Sequence, residues 1–233
     1  IMKRVDSACN NMNIIIDDIL DLSKINNDEM IMALDEYDIR EITNMIYDEF
    51  SEQVIKKNLK LDYKIDESIP NYIYTDNTRL FQIISNLISN SIKYSNTGTI
   101  RFEVLHDQTS NNIIFKISDQ GKGIRQEELC NLFKKYGRTS NSTTDVNSNG
   151  LGLYVCQKIA NLLGGSIEMI SEYKKGSTFS FMHPIKMGYS GIKLNQNIVI
   201  NKEIKGNVLI IDDDPNITSL FKLLLKSMNY DEG

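Results

Sequence analysis

The stretch from Arg79 to Tyr94 constrains this chain more than any other. At about 100° per residue, Arg79, Gln82, Asn86, Asn90 and Lys93 fall within one arc of roughly 80°. Leu80, Ile83, Ile84, Leu87, Ile88 and Ile92 fill most of the remaining circumference. The pattern predicts a helix buried on a broad face, with a narrow polar stripe of amides and cations. A solvated face would be richer in Glu and Lys. Amide oxygens beside cations suit a metal ion and an anionic ligand. A plain amphipathic helix with Asn scattered on its wet side fits the same residues equally well.

The flanking sequence places this helix inside a mixed α and β domain. From Ile1 to about Ile25 a heptad seam runs through Val5, Ala8, Met12, Ile15, Ile19 and Leu22, which predicts a helix. One seam of that length is not stable alone, so it needs partner helices, in a bundle or a dimer, or a place on its own domain. Met30 to Leu34 reads as a short strand. Asp38 with Glu41 has the spacing of a capping box and opens a helix to about Val54. Alternation at Leu59, Leu61, Tyr63 and Ile65 predicts a strand, followed by a short one over Tyr72 to Tyr74. Asp76 caps the helix through Arg79 to Tyr94, and Gly98 closes it. Strands follow over Thr99 to His106 and Ile113 to Asp119, then a short helix near Gln126 to Phe133. Ser140 to Asn149 is a polar run without apolar anchors and reads as a loop. A helix begins at Gly150-Leu-Gly-Leu and ends at Gly164-Gly165. A hairpin joins Ser166 to Ser171 with Ser177 to Met182. Residues 185–206 lack a period and read as a linker. Asn207 to Ile211 is a short strand ending in Asp212-Asp213-Asp214-Pro215, with a helix after it.

Composition narrows the function. The net charge of −5 comes without a basic stripe, which argues against nucleic acid. Cys9, Cys130 and Cys156 have no metal-ligand spacing and fit reduced thiols in the cytoplasm. No apolar run is long enough to span a membrane. The first residues read as the middle of a helix and the last follow a helix directly, so the expectation is a piece of a longer protein.

Two glycine clusters carry the remaining chemistry. Asp119 sits at a strand end before Gly121 and Gly123. An ionised carboxylate there accepts only, so it takes the exocyclic amino group of adenine and rejects the oxygen of guanine. The glycines permit φ > 0 and close approach of backbone to a ligand. Gly150, Leu151, Gly152 and Leu153 open a helix, whose free N–H groups and dipole suit phosphate. Taken singly, each cluster is also an ordinary turn or helix start. Neither is a P-loop or a dinucleotide fingerprint, because the Gly-Lys-Ser/Thr and the third glycine are missing.

The order of these features resembles the ATP-binding catalytic domain of sensor histidine kinases. The N box of that family matches Asn86 to Lys93-Tyr94. Its first glycine box matches Asp119, Gly121 and Gly123, and its phenylalanine box resembles Leu132-Phe133 and on to Arg138. Its second glycine box matches Gly150 to Leu153. Asp76-x-x-Arg79-Leu80-x-Gln82 and Gly176-Ser177-Thr178-Phe179 also fit. The resemblance implies an α+β fold, a two-layer α/β sandwich with helices on one face of a mixed sheet. It implies ATP and Mg²⁺ as cofactors. Asn90 would coordinate Mg²⁺, Asn86 would assist at the metal and phosphates, Lys93 would contact phosphate, and Tyr94 would lie near the nucleotide. Asp119 would bind the adenine amino group. Gly150 and Gly152 would let the lid backbone close on the phosphates, with Arg138 helping from the lid.

The same resemblance divides the chain. Residues 1–27 look like the second helix of a dimerisation and phosphotransfer hairpin, through Asp21-Leu-Ser-Lys-Ile25. Residues 28–184 form the catalytic domain and 185–206 the linker. Residues 207–233 look like the opening of a response-regulator receiver, with Asp212 and Asp213 as its acidic metal-binding pair. Together these imply part of a hybrid histidine kinase in a two-component phosphorelay, a homodimer through its first helix. It would be cytoplasmic here, with membrane anchorage of the whole protein left open. The match departs in three places. No phosphoacceptor histidine lies on the first helix; His106 and His183 are expected to be structural or exposed, so phosphate would go to a histidine supplied in trans. Ser148 stands where the second glycine box usually begins. The receiver stops before its phosphoacceptor. Two rival functions fit the same residues: a catalytically silent ATP-binding dimerisation scaffold, and an ATPase of the same superfamily of the chaperone, topoisomerase or mismatch-repair type.

Overall fold

Alternation decides the central sheet. In β4 (Thr99–Asp107), Ile100, Phe102 and Val104 are buried; in β5 (Asn112–Ser118), Ile113, Phe115 and Ile117 are; in β7 (Gly176–Pro184), Phe179 and Phe181 are. A period of two puts each set on one face. The computed structural model describes residues 2–137 and 150–186, without the side chains of 2–11 and 14. Arg138, Ser148, Asp212, Asp213 and the receiver-like tail therefore lie outside the described residues. The chain divides into two units, Ile1–Gly191 and Ile192–Gly233, and the description below concerns the first.

β2 (Lys60–Ile65), β4, β5, β7 and β6 (Ser166–Glu172) form one sheet in the order β2-β4-β5-β7-β6. Only the β2–β4 pair is parallel, so the sheet is mixed, as expected. Its apolar face is covered by α2 (Ile39–Lys56), α3 (Asn77–Tyr94) and α5 (Gly152–Leu162). The opposite face carries charge, with Lys116 paired to Glu103 at 3.4 Å and Arg101 to Asp62 at 3.9 Å. This is the two-layer α+β sandwich that the resemblance implies. A short helix, α4 (Gln126–Leu132), follows β5. Leu132 is buried and Phe133 packs on the core, anchoring it before the 138–149 segment.

Two caps do what their sequence predicts. Asp38 Oδ1 accepts from the backbone N–H of Arg40 (2.8 Å) and Glu41 (3.3 Å). Asp76 Oδ1 accepts from Arg79 N at 3.0 Å, while its Oδ2 takes Ala33 N at 2.8 Å. That second bond explains a correction. Met30 to Leu34 is not a strand; β1 is Asp35–Asp38, paired with β3 (Tyr72–Thr75). Met30 and Met32 do pack on the core while Ile31 is exposed, so the alternation is real. The segment is pinned by a side chain instead of a β ladder.

The end of α3 is a second correction. It stops at Tyr94, and Gly98 (φ +102°) instead turns the chain into β4. The stop is made from α2's side. Lys57 Nζ donates to the carbonyls of Ile92 (2.7 Å), Lys93 (3.1 Å) and Ser95 (3.3 Å). A cation on the last carbonyls of a helix also meets the negative end of its dipole. Lys57→Met is therefore expected to lower stability by about 1 kcal/mol, read as a lower urea midpoint at unchanged m.

The N-terminal helix α1 (Met2–Asn26) lies on its own domain at its C-terminal end. Leu22 is buried and Asp21 Oδ2 accepts from Arg79 Nη1 (2.8 Å) and Gln82 Nε2 (2.9 Å). The other described seam residues, Met12, Ile15 and Ile19, are exposed. Leu22 thus faces the domain, whereas Met12, Ile15 and Ile19 do not.

His183 is structural, as expected. Its Nδ1–H donates to the Pro184 carbonyl at 2.8 Å, and the Thr75 hydroxyl donates to its Nε2 at 2.9 Å, tying β7 to β3. Burial, followed by the nearby Lys186 charge, pulls its imidazole down to about 4.

Candidate functional site

The polar stripe of α3 splits in two. Its first half, Arg79 and Gln82, faces Asp21 of α1 and is consumed there, so it does not serve an anionic ligand. The second half stays together. Asn90 Nδ2 donates to Asn86 Oδ1 at 2.8 Å. That bond uses Asn90's nitrogen and Asn86's oxygen, and leaves Asn90 Oδ1 outside the pair. A hard carbonyl oxygen is the donor type that Mg²⁺ takes, and Mg²⁺ binds through few protein ligands when phosphates supply the rest. Among the described residues no group of three or more His, Cys, Asp or Glu could hold a metal by itself. Asn90 therefore fits a metal shared with phosphate, and not an all-protein cage.

Three glycines bring separate motifs against this helix. At Gly152 an added Cβ would collide with Asn86 Nδ2, so the first turn of α5 lies directly against the asparagine pair, and a larger residue there would make Asn86 move. The cap position of α5 is held by Leu151, whose side chain cannot accept from the first turn, and a helix N-terminus is suited by its N–H groups and dipole to an anion. Gly150 (φ +68°) sits just before it, and a Cβ there would be 2.8 Å from the Gly137 carbonyl. The two described ends of the 138–149 segment are thus side by side. Leu151 is buried and Leu153 packs on the core; both anchor the helix start through the apolar interior.

At the end of β5, Asp119 Oδ1 accepts from Gly121 N (2.8 Å) and Ser177 N (3.3 Å), and Ser91 Oγ donates to Oδ2 at 3.4 Å. Burial pushes this carboxyl above the usual range, and the three hydrogen bonds oppose it. A Cβ on Gly121 would be 2.5 Å from the Tyr94 carbonyl and 2.9 Å from Asp119 Oδ1. A Cβ on Gly123 (φ +60°) would strike the backbone of Glu172. The backbone that both glycines approach is the protein's own: Gly121 seats the loop on α3, and Gly123 seats it on the end of β6. The fold thus gathers Asn86, Asn90, Lys93, Tyr94, Asp119, Gly121, Gly150 and Gly152 around the C-terminal half of α3.

Residues 75–187 match the model of the histidine kinase-, DNA gyrase B- and HSP90-like ATPase family. The chain is 34% identical over 190 residues to the sensor histidine kinase RcsC of Escherichia coli K12, covering 79% of this chain and 20% of that protein. It is 32% identical over 184 residues to the hybrid signal transduction histidine kinase L of Dictyostelium discoideum, covering 77% of this chain and 11% of that one. Full-length ShkA, solved in complex with AMPPNP, superposes with a TM-score of 0.66 at 20% identity, over 73% of this chain and 35% of that one.

The chain carries a histidine-kinase-type ATPase domain. It spans only about a tenth to a fifth of the length of these curated relatives.

The sequence gives no role to three residues of this histidine-kinase-type domain, although Ser177 is part of the matching Gly176-Ser177-Thr178-Phe179. Lys122, between the two glycines of the first glycine box, places its Nζ 4.5 Å from the centre of the Tyr94 ring, on which Lys93 also stands at 5.5 Å. Two cations therefore share one aromatic ring at the end of α3. Ser177 supplies a backbone N–H to Asp119, and its hydroxyl is 2.9 Å from Ser171 Oγ. Ser91 reaches the same carboxylate from α3. The positions of Lys122 inside the glycine box and of Ser177 inside that match are the available signals. Ser91 is brought in by packing alone. Both histidines lie off α1: His106 is on β4 and His183 on β7.

Proposed function

We propose that this domain binds Mg-ATP beside the C-terminal half of α3 and transfers the γ-phosphate to a histidine that lies outside residues 1–233. One observation carries the reading: Gly152 sets the start of α5 directly against Asn86, which pairs with Asn90. An amide pair and a helix N-terminus are thereby presented to one place. Phosphoryl transfer asks for that kind of positioning and charge neutralisation more than for covalent chemistry by the protein. In this reading Asn90 Oδ1 holds Mg²⁺, Asn86 steadies it, and the N–H groups after Gly150 receive phosphate. Lys93, with Arg138 from the 138–149 segment, adds positive charge, and Asp119 takes the adenine amino group. When bound, Mg²⁺ would neutralise phosphate charge. The AMPPNP complex of ShkA supports an adenine nucleotide as the ligand. Within a hybrid kinase the exposed Met12, Ile15 and Ile19 stripe of α1 would pair in a dimer, and a receiver beginning near residue 207, with Asp212 and Asp213, would take the phosphate onward. Among the described residues no helix is long and apolar enough to cross a membrane, which is compatible with work in the cytoplasm.

The test is calorimetric titration of Mg-ATP into this chain. Wild type should bind, and Asn90→Ala should bind at least tenfold more weakly with Mg²⁺ present and about equally without it. An added histidine-bearing helical hairpin should then become phosphorylated. No binding by a folded wild-type chain would refute the proposal. Binding without transfer to any hairpin would favour a silent ATP-binding scaffold.

A further inference from the structure

Asp119 has two oxygens with different supports. Oδ1 is held by two backbone N–H groups, those of Gly121 and Ser177. Oδ2 receives the side chain of Ser91, one residue beyond Asn90 on α3. Ser91 is 1% exposed and lies on the helix face formed by Leu87, Ile88 and Ile92. A hydroxyl buried there is costly unless it is hydrogen-bonded, and alanine would suit both the helix and the apolar face better. The fold alone gives no reason for serine at this position. The carboxylate gives one. The terminal torsion of an aspartate is broad, so a single anchored oxygen leaves the second free to swing. A donor on Oδ2 sets the plane of the group and favours its ionised, acceptor-only form.

We infer that Ser91 is a positioning residue for base recognition, directing Asp119 Oδ2 at an exocyclic amino group and against a ring carbonyl in the same place. This rests on Asp119 being the adenine contact. An ionised, fixed carboxylate pairs with the amino group of adenine and repels the oxygen that hypoxanthine presents instead. A carboxyl that takes up a proton can donate to that oxygen, and a carboxylate that is free to turn can swing away from it; either loses the distinction.

The experiment compares Mg-ATP with Mg-inosine triphosphate by calorimetry at pH 7.5, in wild type, Ser91→Ala and Ser91→Thr, with thermal melting alongside. The 3.4 Å bond is long, so the effect is modest. Ser91→Ala should weaken ATP about three- to tenfold and reduce the ATP-to-inosine ratio by a similar factor, without lowering the melting temperature. Ser91→Thr, which keeps the hydroxyl, should restore the ratio. An unchanged ratio in Ser91→Ala would overturn the inference while leaving the nucleotide site intact. Failure of wild type to bind ATP would overturn the site itself, and this inference with it.

Discussion

Asp119→Asn is expected to lower the affinity for Mg-ATP by about 100-fold, roughly 3 kcal/mol, while leaving thermal stability at neutral pH unchanged or higher. The two effects have separate causes. The carboxylate is half-buried, and burial raises its pKa in the folded state. Between its ordinary value of 3.8 and the raised one, the folded state binds more protons than the unfolded state. Stability from this group therefore falls as pH rises through that window, and at neutral pH the charge costs stability. Asparagine removes the charge and keeps an oxygen for Gly121 N and Ser177 N. Its amide nitrogen can donate to Ser91 Oγ. What it loses is the second acceptor for a base amino group. Calorimetry and melting at pH 7.5 read both quantities. An asparagine variant that binds ATP as wild type does would remove Asp119 from base recognition.

His183 is expected to make the domain acid-sensitive by about 2 to 3 kcal/mol between pH 7.5 and pH 4.5. Its imidazole ordinarily titrates near 6.5 and here near 4, because it is buried between Thr75 and Pro184. Below 6.5 the unfolded chain takes up a proton that the folded chain refuses. The contribution is complete above pH 6.5, declines as pH falls, and is gone below about 4. His183→Gln can accept from Thr75 and donate to the Pro184 carbonyl, but it does not titrate. Urea unfolding of both proteins at the two pH values isolates the effect, since the carboxylates are common to both. Equal pH dependence in the two would contradict the burial argument.

The elements were legible in the sequence because their signals are local. The apolar arc of α3 and the alternation of β4, β5 and β7 report which side of each element meets the core. Asp38 and Asp76 cap helices within three residues of themselves, so their roles follow from spacing. Met30 to Leu34 also alternates, yet alternation records only which side is buried and not whether a neighbouring strand supplies a ladder. Gly98 looks like the end of α3 in the sequence because the true stop, Lys57, comes from the end of a different helix.

The site divides in the same way. Sequence alone determined the candidates Asn86, Asn90, Asp119, Gly150 and Gly152, since amides on one helical arc and glycines at a strand end or helix start are local patterns. Tertiary structure decided what each one faces. It gave Arg79 and Gln82 to Asp21, against their expected use toward a ligand, and set Gly121 and Gly123 against protein backbone. It also recruited Ser91, Ser177 and Lys122. These contacts join residues that are dozens of positions apart. No period or spacing encodes them, because they exist only after burial of the shared apolar face has fixed the helices on the sheet.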